Sequence, residues 1–322
     1  MIVVTGGAGF IGSCIVARLN ALDRRDIIIV DHLDSQDIKK ENLAGKKYIK
    51  YYDKTEFLDL VLKDKVGEGI KTVVHMGACS STTGEDAGYY EKNNFEYSCH
   101  MLRWALKHSA RFIYASSAAT YGDGSLGYKD DDATTRRLKP LNLYGESKQK
   151  FDEWVLDNGY IDKVVGLKFF NVFGPNEYHK DDMRSVIAKS YERVVKEGKI
   201  GLFKSYKKGY GHGDQKRDFI YVKDAVNAVM YFFDHPEING IYNVGTGQAR
   251  SWNDLAKALF AAAGKRLSIE YIEMPESLKS KYQYLTQADM TKLRKTGYKT
   301  PFTSLEAAIQ DYAKYLKDGS HL

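Results

Sequence analysis

The chain of 322 residues carries 48 basic and 42 acidic side chains, a formal net charge of +6, and a hydrophobic fraction of 43%. This length predicts two domains, or one large domain with an attached lobe. The basic excess is mild, forms no block of like charges and accompanies no recognition motif, so we predict no nucleic-acid partner. No apolar run approaches the ~18 residues that a membrane span requires, so we predict no membrane partner either.

The cysteines and the N-terminal residues point to a compartment. The three cysteines, Cys14, Cys79 and Cys99, have no metal-ligand spacing, and so sparse a set is typical of reduced thiols in a cytoplasmic protein. The N-terminal residues enter an apolar strand and then glycines, without the organisation of a signal peptide. We therefore expect a cytoplasmic protein with no metal site.

Short apolar runs alternate with helix-length segments through the first half of the chain. Strands that are buried on both faces read as continuous apolar runs, and their alternation with helices predicts an α/β fold with a doubly wound parallel sheet, Rossmann-like in character. The predicted strands are residues 2–5, 27–30, 48–51, 72–76, 111–115 and 164–169, with a late return at 241–244; the predicted helices are residues 11–22, 90–108 and 144–156.

Two later segments differ from the rest in composition. Residues 176–216 and 246–322 are richer in charge and tyrosine, and contain glycine-rich loop stretches. We predict that together they form a smaller mixed α/β substrate-binding lobe. The dinucleotide-binding domain would then comprise residues 1–175 and 217–245, and the lobe would close over the carboxyl edge of the sheet, where ligands of such folds bind.

A glycine-rich loop, residues 6–12, joins the first predicted strand to the first predicted helix. Glycines there permit a tight turn and a close approach to a pyrophosphate at the helix N-terminus, so the loop predicts dinucleotide binding. Asp31 ends the second strand, where a carboxylate can bind ribose hydroxyls, and this favours NAD. His32, Lys39 and Lys40 follow and are able to neutralise the 2′-phosphate of NADP, so both dinucleotides stay open.

A Tyr-x-x-x-Lys pair, Tyr144 and Lys148, lies downstream of Ser116 and Ser117. Residues four apart share one face of a helix, and a neighbouring ammonium group should lower the tyrosine pKa. Ser117 would end the fifth strand and bind a substrate oxygen while Tyr144 moves a proton. Lys148 can also hold the nicotinamide ribose. Together these residues predict a redox site with tyrosine acid/base chemistry.

These motifs resemble the extended short-chain dehydrogenase/reductase superfamily, whose members mostly modify nucleotide sugars. More selective stretches are similar to one family within it, the ADP-L-glycero-D-manno-heptose 6-epimerases. The resemblance covers nearly the whole chain, and the stretches that carry it are residues 76–83, 116–122, 170–175, 179–180, 215–219 and 281–289.

The resemblance implies an isomerase that interconverts ADP-D-glycero- and ADP-L-glycero-D-manno-heptose. It would do so by transient oxidation and re-reduction at C6 with tightly bound NADP, NAD remaining possible. It further implies a role in making heptose precursors of the lipopolysaccharide inner core, and a homo-oligomer, expected to be a pentamer.

The resemblance also assigns residues. Those implied to bind the dinucleotide are Gly6, Gly9, Phe10, Ile11, Gly12, Asp31, His32, Lys39, Lys54, Met76, Gly77, Ala78, Cys79, Ser80, Asn93, Lys148, Val172 and Lys180. Those implied to contact the substrate are Ser117, Asn171, Asp182, Lys189, Phe203, Lys204, Ser205, Tyr206, Arg217 and Tyr282.

Inversion at C6 of a heptose needs more than one acid. A bound nicotinamide offers its hydride from one fixed direction, so the ketone must present its other face, by rotation about the C5–C6 bond in a heptose. The carbonyl oxygen then points elsewhere, and a second proton donor is required. The resemblance names Lys180 for this role beside Tyr144, with Ser117 and Lys148 completing the catalytic set. Arg217 is the candidate for the anionic diphosphate.

Three other functions use the same motifs. A sugar 4,6-dehydratase needs an additional acid between the serine and the Tyr-Gly pair, and residues 118–120, Ala-Ala-Thr, provide none. A UDP-hexose 4-epimerase is disfavoured only by the selective stretches and stays the alternative. A non-catalytic dinucleotide sensor would be expected to lack Ser117, Tyr144 or Lys148, and all three are present.

Overall fold

A seven-stranded parallel sheet forms the centre of the computed structural model, which describes residues 1–34, 38–279 and 282–322. Its strands run in the order β10-β6-β5-β4-β1-β2-β3. The strand bounds are β1 Ile2–Thr5, β2 Ile27–Asp31, β3 Lys50–Asp53, β4 Thr72–His75, β5 Arg111–Ser117, β6 Val164–Phe169 and β10 Gly240–Val244. The doubly wound, Rossmann-like sheet predicted from the apolar runs is confirmed, including its late return to β10.

Helices cover both faces of this sheet. On one face, α1 packs against α8 over a core that includes Ile15 and Val229; on the other, α2 packs against α4 over a core that includes Phe57 and Leu102. Strands buried on both sides explain the continuous apolar runs in the sequence. The helices are α1 Phe10–Ala21, α2 Lys54–Leu62, α3 Ala87–Tyr90, α4 Tyr97–Lys107, α5 Asp132–Thr135, α6 Leu143–Asp157, α7 Val186–Glu197, α8 Val222–Asp234, α9 Trp252–Ala262, α10 Glu276–Lys279, α11 Thr291–Lys295 and α12 Leu305–Asp318.

Two small sheets accompany the central one. In the first, β9 (Lys216–Tyr221) pairs in parallel with β7 (Asn171–Phe173) and antiparallel with β11 (Ala249–Ser251). In the second, β8 (Ile200–Phe203) pairs with β12 (Ile269–Ile272). The first of these sheets joins strands from both sides of the expected domain division. The smaller mixed part of the fold is present, while the boundaries of the two domains stay a prediction.

The helix predicted for residues 90–108 is not uniform. A π-helical turn, Glu91–Glu96, separates α3 from α4. Such turns are rare and occur frequently at functional sites, and no periodicity of apolar residues marks this one. Of the loop that carries His32 and Lys39, residues 35–37 lie outside the described part, as does Lys281. None of the described helices is both long and apolar enough to span a bilayer.

Candidate active site

A cavity of about 720 Å³ opens at the carboxyl edge of the central sheet. The ends of β1, β4, β5 and β6 contribute to its wall, together with the start of α1, the start of α6 and β7. In doubly wound folds this edge is where ligands bind. The predicted site residues that line the cavity are Gly6, Gly9, Phe10, Ile11, Gly12, Asp31, Lys39, Met76, Gly77, Ala78, Ser80, Ser117, Tyr144, Lys148, Asn171, Val172 and Lys180.

The glycine loop turns the chain from β1 into α1. Gly6 has a φ of +64°, and a Cβ on Gly12 would lie 2.0 Å from the Gly6 carbonyl oxygen, so this turn requires glycine at both positions. Gly9 caps α1 without a side-chain hydrogen bond, which leaves the N–H groups of the first turn facing the cavity. A helix N-terminus of this kind suits a pyrophosphate, and the residues present therefore fit a dinucleotide.

Asp31 ends β2 at the wall of the cavity. Its Oδ2 accepts a 2.9 Å hydrogen bond from the Ala8 N–H, and the Lys39 Nζ lies 3.4 Å from its Oδ1. A carboxylate with a cation beside it thus stands where a ribose would bind. His32 does not line the cavity, because its imidazole pairs with Asp53 at 2.8 Å.

Three further residues that were expected to bind the dinucleotide, Lys54, Asn93 and Cys79, do not line the cavity. The Lys54 ammonium donates a 2.8 Å hydrogen bond to the Asn93 side chain, so these two residues hold each other. Cys79 belongs to the loop of residues 76–80, but its backbone is bonded to Asn94 while its neighbours face the cavity.

Tyr144 and Lys148 lie one turn apart at the start of α6, as predicted. The side chain of Asn142 caps this helix by accepting from the Gly145 N–H. Lys148 is only 5% exposed, and its Nζ donates a 2.8 Å hydrogen bond to the Ala115 carbonyl at the end of β5. Burial lowers the pKa of Lys148 to about 8.

The expected effect of Lys148 on Tyr144 is wrong in direction. Burial raises the pKa of Tyr144 above its ordinary value of 10, and a hydrogen bond with Ser117 offsets only part of that rise. The ammonium group of Lys148 is bonded to the Ala115 carbonyl. Desolvation thus outweighs the neighbouring cation, and Tyr144 carries its proton at neutral pH.

Lys180 lies in a 3₁₀-helical segment, Tyr178–Met183, that borders the same cavity. Its Nζ is 5.4 Å from the centre of the Phe10 ring, at the start of α1. Burial lowers the pKa of Lys180, and the charge of Glu177 opposes the shift. The next residue, Asp181, has a φ of 44°, a conformation that non-glycine residues seldom adopt. The cavity thus brings together a tyrosine and a lysine that are both able to move protons.

Arg217 is a buried cation on β9. It is 8% exposed, its guanidinium lies 5.0 Å from the Tyr282 ring and 5.8 Å from the Trp252 ring, and its hydrogen bond goes to the Lys216 carbonyl. Within the described ranges it has no carboxylate partner. Burial accordingly lowers its pKa. A guanidinium held between aromatic rings without a counter-ion suits an anionic ligand.

The remaining substrate candidates are more scattered. Asn171 lines the cavity at β7, and the exposed Lys189 donates a 3.1 Å hydrogen bond to the Asp182 carbonyl outside it. Phe203 ends β8, and Lys204, Ser205 and Tyr206 follow it; Lys204 and Tyr206 both bond to Glu273. The cavity is not lined by Asp182, Lys189, Phe203, Lys204, Ser205 or Tyr206.

Several residues around the site were missed at the level of sequence. Asp152 continues the helix face of Tyr144 and Lys148, one turn further on, and this spacing was a signal available in the sequence. It forms a fully buried ion pair with Lys168 at 2.6 Å. Trp252 lines the cavity beside Arg217, and Asn94 holds the loop of residues 76–80. Neither of these two has a spacing that marks it.

Comparisons with known proteins agree with this geometry. A model of the NAD dependent epimerase/dehydratase family matches residues 2–245. The ADP-L-glycero-D-manno-heptose-6-epimerase of Nitratidesulfovibrio vulgaris (strain DP4) is 51% identical over 98% of this chain and 97% of its own, and that of Fusobacterium nucleatum is 44% identical over the full length of both. The crystal structure of the Helicobacter pylori enzyme of the same name is similar with a TM-score of 0.83 and 28% identity, covering 98% of this chain and 96% of its own.

A second structural neighbour has a different printed activity. The UDP-N-acetylglucosamine 4-epimerase of Methanobrevibacter ruminantium is similar with a TM-score of 0.81 and 26% identity, covering 99% of this chain and 98% of its own. The relatives that are 51% and 44% identical confirm the family resemblance inferred from the selective stretches. The two solved structures, at 28% and 26% identity, have the same fold. The chain belongs to the NAD dependent epimerase/dehydratase family and, within it, to the ADP-L-glycero-D-manno-heptose-6-epimerases.

Proposed function

We propose that this protein interconverts ADP-D-glycero-D-manno-heptose and ADP-L-glycero-D-manno-heptose by inverting C6. One observation supports this most strongly: Tyr144 and Lys180 line the same cavity as the glycine loop. If the ketone turns by rotation about the C5–C6 bond, its oxygen moves, and two proton donors are needed within reach of one hydride donor. Relatives that are 42–51% identical over nearly the whole chain carry the name of this activity.

The dinucleotide would be held by the glycine loop at its pyrophosphate and by Asp31 at a ribose. When bound, it would supply the hydride chemistry for oxidation and re-reduction at C6. Lys148 would hold the nicotinamide ribose. Its side chain borders the cavity, and its Nζ is fixed to the Ala115 carbonyl at the end of β5. The roles of these residues are part of the proposal.

Proton movement is divided between two atoms, Tyr144 Oη and Lys180 Nζ. Tyr144 carries a proton at neutral pH because burial raises its pKa, so it is able to donate to a carbonyl oxygen. Burial lowers the pKa of Lys180, so losing its proton costs less than for a solvated lysine, which suits this amine to accept a proton from the hydroxyl of the opposite epimer. For the reverse direction the two groups exchange roles.

The substrate diphosphate would bind near Arg217. The guanidinium is buried, lies between Trp252 and Tyr282, and lacks a carboxylate partner in the part of the chain that the structure describes. Arg217 is not itself a lining residue of the cavity, but Trp252, beside it, is, so binding there would direct the sugar end of the substrate into the cavity. A planar guanidinium makes paired hydrogen bonds to phosphate oxygens, which orients the substrate as well as binding it.

We propose NADP as the dinucleotide. The ammonium group of Lys39 lies 3.4 Å from Asp31 and offsets the negative charge that would otherwise repel a 2′-phosphate. Affinities measured for NADP and NAD side by side test this, and tighter binding of NAD would contradict it. The homopentamer implied by the family is likewise a prediction, which analytical ultracentrifugation tests.

The proposed activity is tested by incubating the protein with ADP-D-glycero-β-D-manno-heptose and, separately, with UDP-glucose. Product stereochemistry is read by NMR. We expect inversion at C6 of the heptose and no change at C4 of the hexose. Inversion of UDP-glucose without inversion of the heptose would replace the proposal by the 4-epimerase alternative.

A further inference from the structure

Three residues that follow α12 pack against the segment that carries Lys180. Gly319 stands directly after the last residue of α12 in a left-handed conformation, with a φ of 70°. A left-handed glycine at this position commonly terminates a helix, and it directs residues 320–322 onto the segment of residues 178–183. We call residues 320–322 the clasp.

The base of the segment 178–183 is closed by a buried carboxylate, that of Glu177, which is 1% exposed. Its Oε1 accepts a 2.7 Å hydrogen bond from the Ser185 hydroxyl, and its Oε2 accepts a 2.6 Å hydrogen bond from the Ser185 N–H. The residues before and after the segment are thus tied together, and Lys180 lies between the two tied points. The position of Lys180 over the cavity then depends on contacts that the segment makes on its outer side.

Tyr178 makes such contacts, and it makes them with the clasp. Its hydroxyl donates a 3.0 Å hydrogen bond to the Ser320 carbonyl, and its ring lies edge-on to the His321 imidazole with the ring centres 5.0 Å apart. The side chain of His321 is only 17% exposed, so water has little access to this contact. Burial raises the pKa of Tyr178, so its phenol keeps the proton that it donates.

Asn176 binds the clasp from the inner side. It is fully buried, and its φ of 75° is one that few residues other than glycine adopt. Its Oδ1 accepts a 2.8 Å hydrogen bond from the Leu322 N–H, and its Nδ2 donates a 2.9 Å hydrogen bond to the Ser13 hydroxyl on α1. One buried amide therefore joins the clasp to the helix whose first turn faces the cavity.

The other side of the clasp rests on residues that follow β2. The Lys46 ammonium donates a 2.6 Å hydrogen bond to the Leu322 carbonyl, and the His321 Nε2 lies 3.9 Å from the Glu41 carboxylate. Glu41 belongs to a 3₁₀-helical segment, Ile38–Leu43, that also borders the cavity. The clasp thus has its own support in the dinucleotide-binding part of the fold.

We propose that the clasp, residues 320–322, positions Lys180 by holding the segment of residues 178–183 against the cavity. The inference rests on the proposed epimerase function and adds a positioning group to it. The clasp acts through Tyr178 and Asn176 rather than on the substrate. Because small displacements of a reacting group slow catalysis strongly, loss of the clasp should slow the step that uses the Lys180 amine.

Deletion of residues 320–322 removes the clasp and retains Gly319 at the end of α12. We expect the rate of C6 inversion at saturating substrate and dinucleotide to fall about tenfold, because the Lys180 amine is displaced. In a Lys180→Met protein the same deletion should change the residual rate by less than about twofold, since the clasp then has no amine to position. An unchanged rate after the first deletion, or an equal fall in both proteins, would overturn the inference.

Tyr178→Phe is a milder variant that keeps every residue of the clasp and removes one hydrogen bond. We expect it to slow C6 inversion about threefold to fivefold. Tyr231 on α8 offers a matched control, because its hydroxyl donates a 2.6 Å hydrogen bond to the Thr296 carbonyl and its ring centre lies 4.3 Å from that of His235. Tyr231→Phe should leave the rate unchanged. Equal rates in the two variants would contradict the inference.

Hydrogen exchange of backbone amides tests the clasp independently of activity. Measured by mass spectrometry, deletion of residues 320–322 should speed exchange in residues 178–183 about tenfold and leave exchange in α6 unchanged. If the unaltered protein does not invert the heptose, the proposed function fails, while faster exchange confined to the segment still supports the clasp. Unchanged exchange in the segment, or an equal increase in α6, would contradict it.

Discussion

Lys148 is the residue at which stability and chemistry conflict most directly. The residue is 5% exposed, and burial lowers its pKa from 10.5 to about 8. Between these two values the unfolded chain binds more protons than the folded chain, so the free energy of unfolding rises with pH through this window. Below about 8 both states carry the charge, and the full penalty of burying it is present.

Lys148→Met should therefore stabilise the fold near neutral pH while abolishing activity. The expected gain in free energy of unfolding is about 1–3 kcal/mol, because the relieved desolvation is offset in part by an Ala115 carbonyl left without a partner. The rise in stability between about 8 and 10.5 should also disappear. Urea unfolding at a series of pH values measures both effects.

Lys150→Met is the control, since Lys150 lies on the same helix but is exposed and pairs with Glu91. Its removal should change stability by less than about 1 kcal/mol at any pH. A Lys148→Met protein that unfolds more readily than its parent at neutral pH would contradict the assignment of a desolvated ammonium group.

At the scale of elements, α6, β5 and β6 are joined by a buried charged network. The Asp152 carboxylate on α6 accepts from the Lys168 ammonium at 2.6 Å, from the Ser116 hydroxyl at 2.6 Å and from the Tyr114 hydroxyl at 2.9 Å. Lys168 also donates to the Thr120 hydroxyl at 2.9 Å. The network fixes the end of β5, where Ser117 and the Ala115 carbonyl meet the cavity, against the helix that carries Tyr144.

Removal of one partner should be far more harmful than removal of both. Asp152→Leu leaves the Lys168 charge unpaired in the core, at an expected cost of about 3–5 kcal/mol in free energy of unfolding. The double variant, Asp152→Leu with Lys168→Met, should recover most of that stability because no charge remains buried. A double-mutant cycle by urea unfolding measures the coupling, and additive single effects would contradict a tightly coupled pair.

Some elements of the fold and of the site were predictable from the sequence, and others were not. Most strands of the central sheet were predictable because both of their faces are buried, so their apolar runs are continuous. The exception is β3, an edge strand of exposed and half-buried residues, which was predicted at 48–51 and lies at Lys50–Asp53. The glycine loop and the Tyr144–Lys148 pair were predictable because their spacing itself carries the chemistry. Asn94 was not predictable, since its role depends on a π-helical turn that has no apolar period. The direction of the Tyr144 pKa shift depends on burial, which spacing does not reveal.

At the scale of the whole molecule, β9 links the two parts of the fold. It pairs with β7, which borders the cavity, and with β11, which leads into α9. Arg217 on β9 thus reaches Trp252 at the start of α9 and Tyr282 beyond it. These three short strands come from distant parts of the chain, so their pairing is a tertiary outcome that no local pattern encodes.

The central claim is that one cavity holds two proton donors, Tyr144 and Lys180, for a single inverted carbon. It is tested most directly by measuring the rate of C6 inversion by Tyr144→Phe and by Lys180→Met, starting from each pure epimer of the ADP-heptose, with dinucleotide content recorded. Lys196→Met is the control, because Lys196 is an exposed lysine paired with Glu192. We predict that each active-site variant retains the dinucleotide but inverts C6 at least ~100-fold more slowly in both directions, while Lys196→Met is unaffected. Inversion at the full rate by either active-site variant would contradict the account.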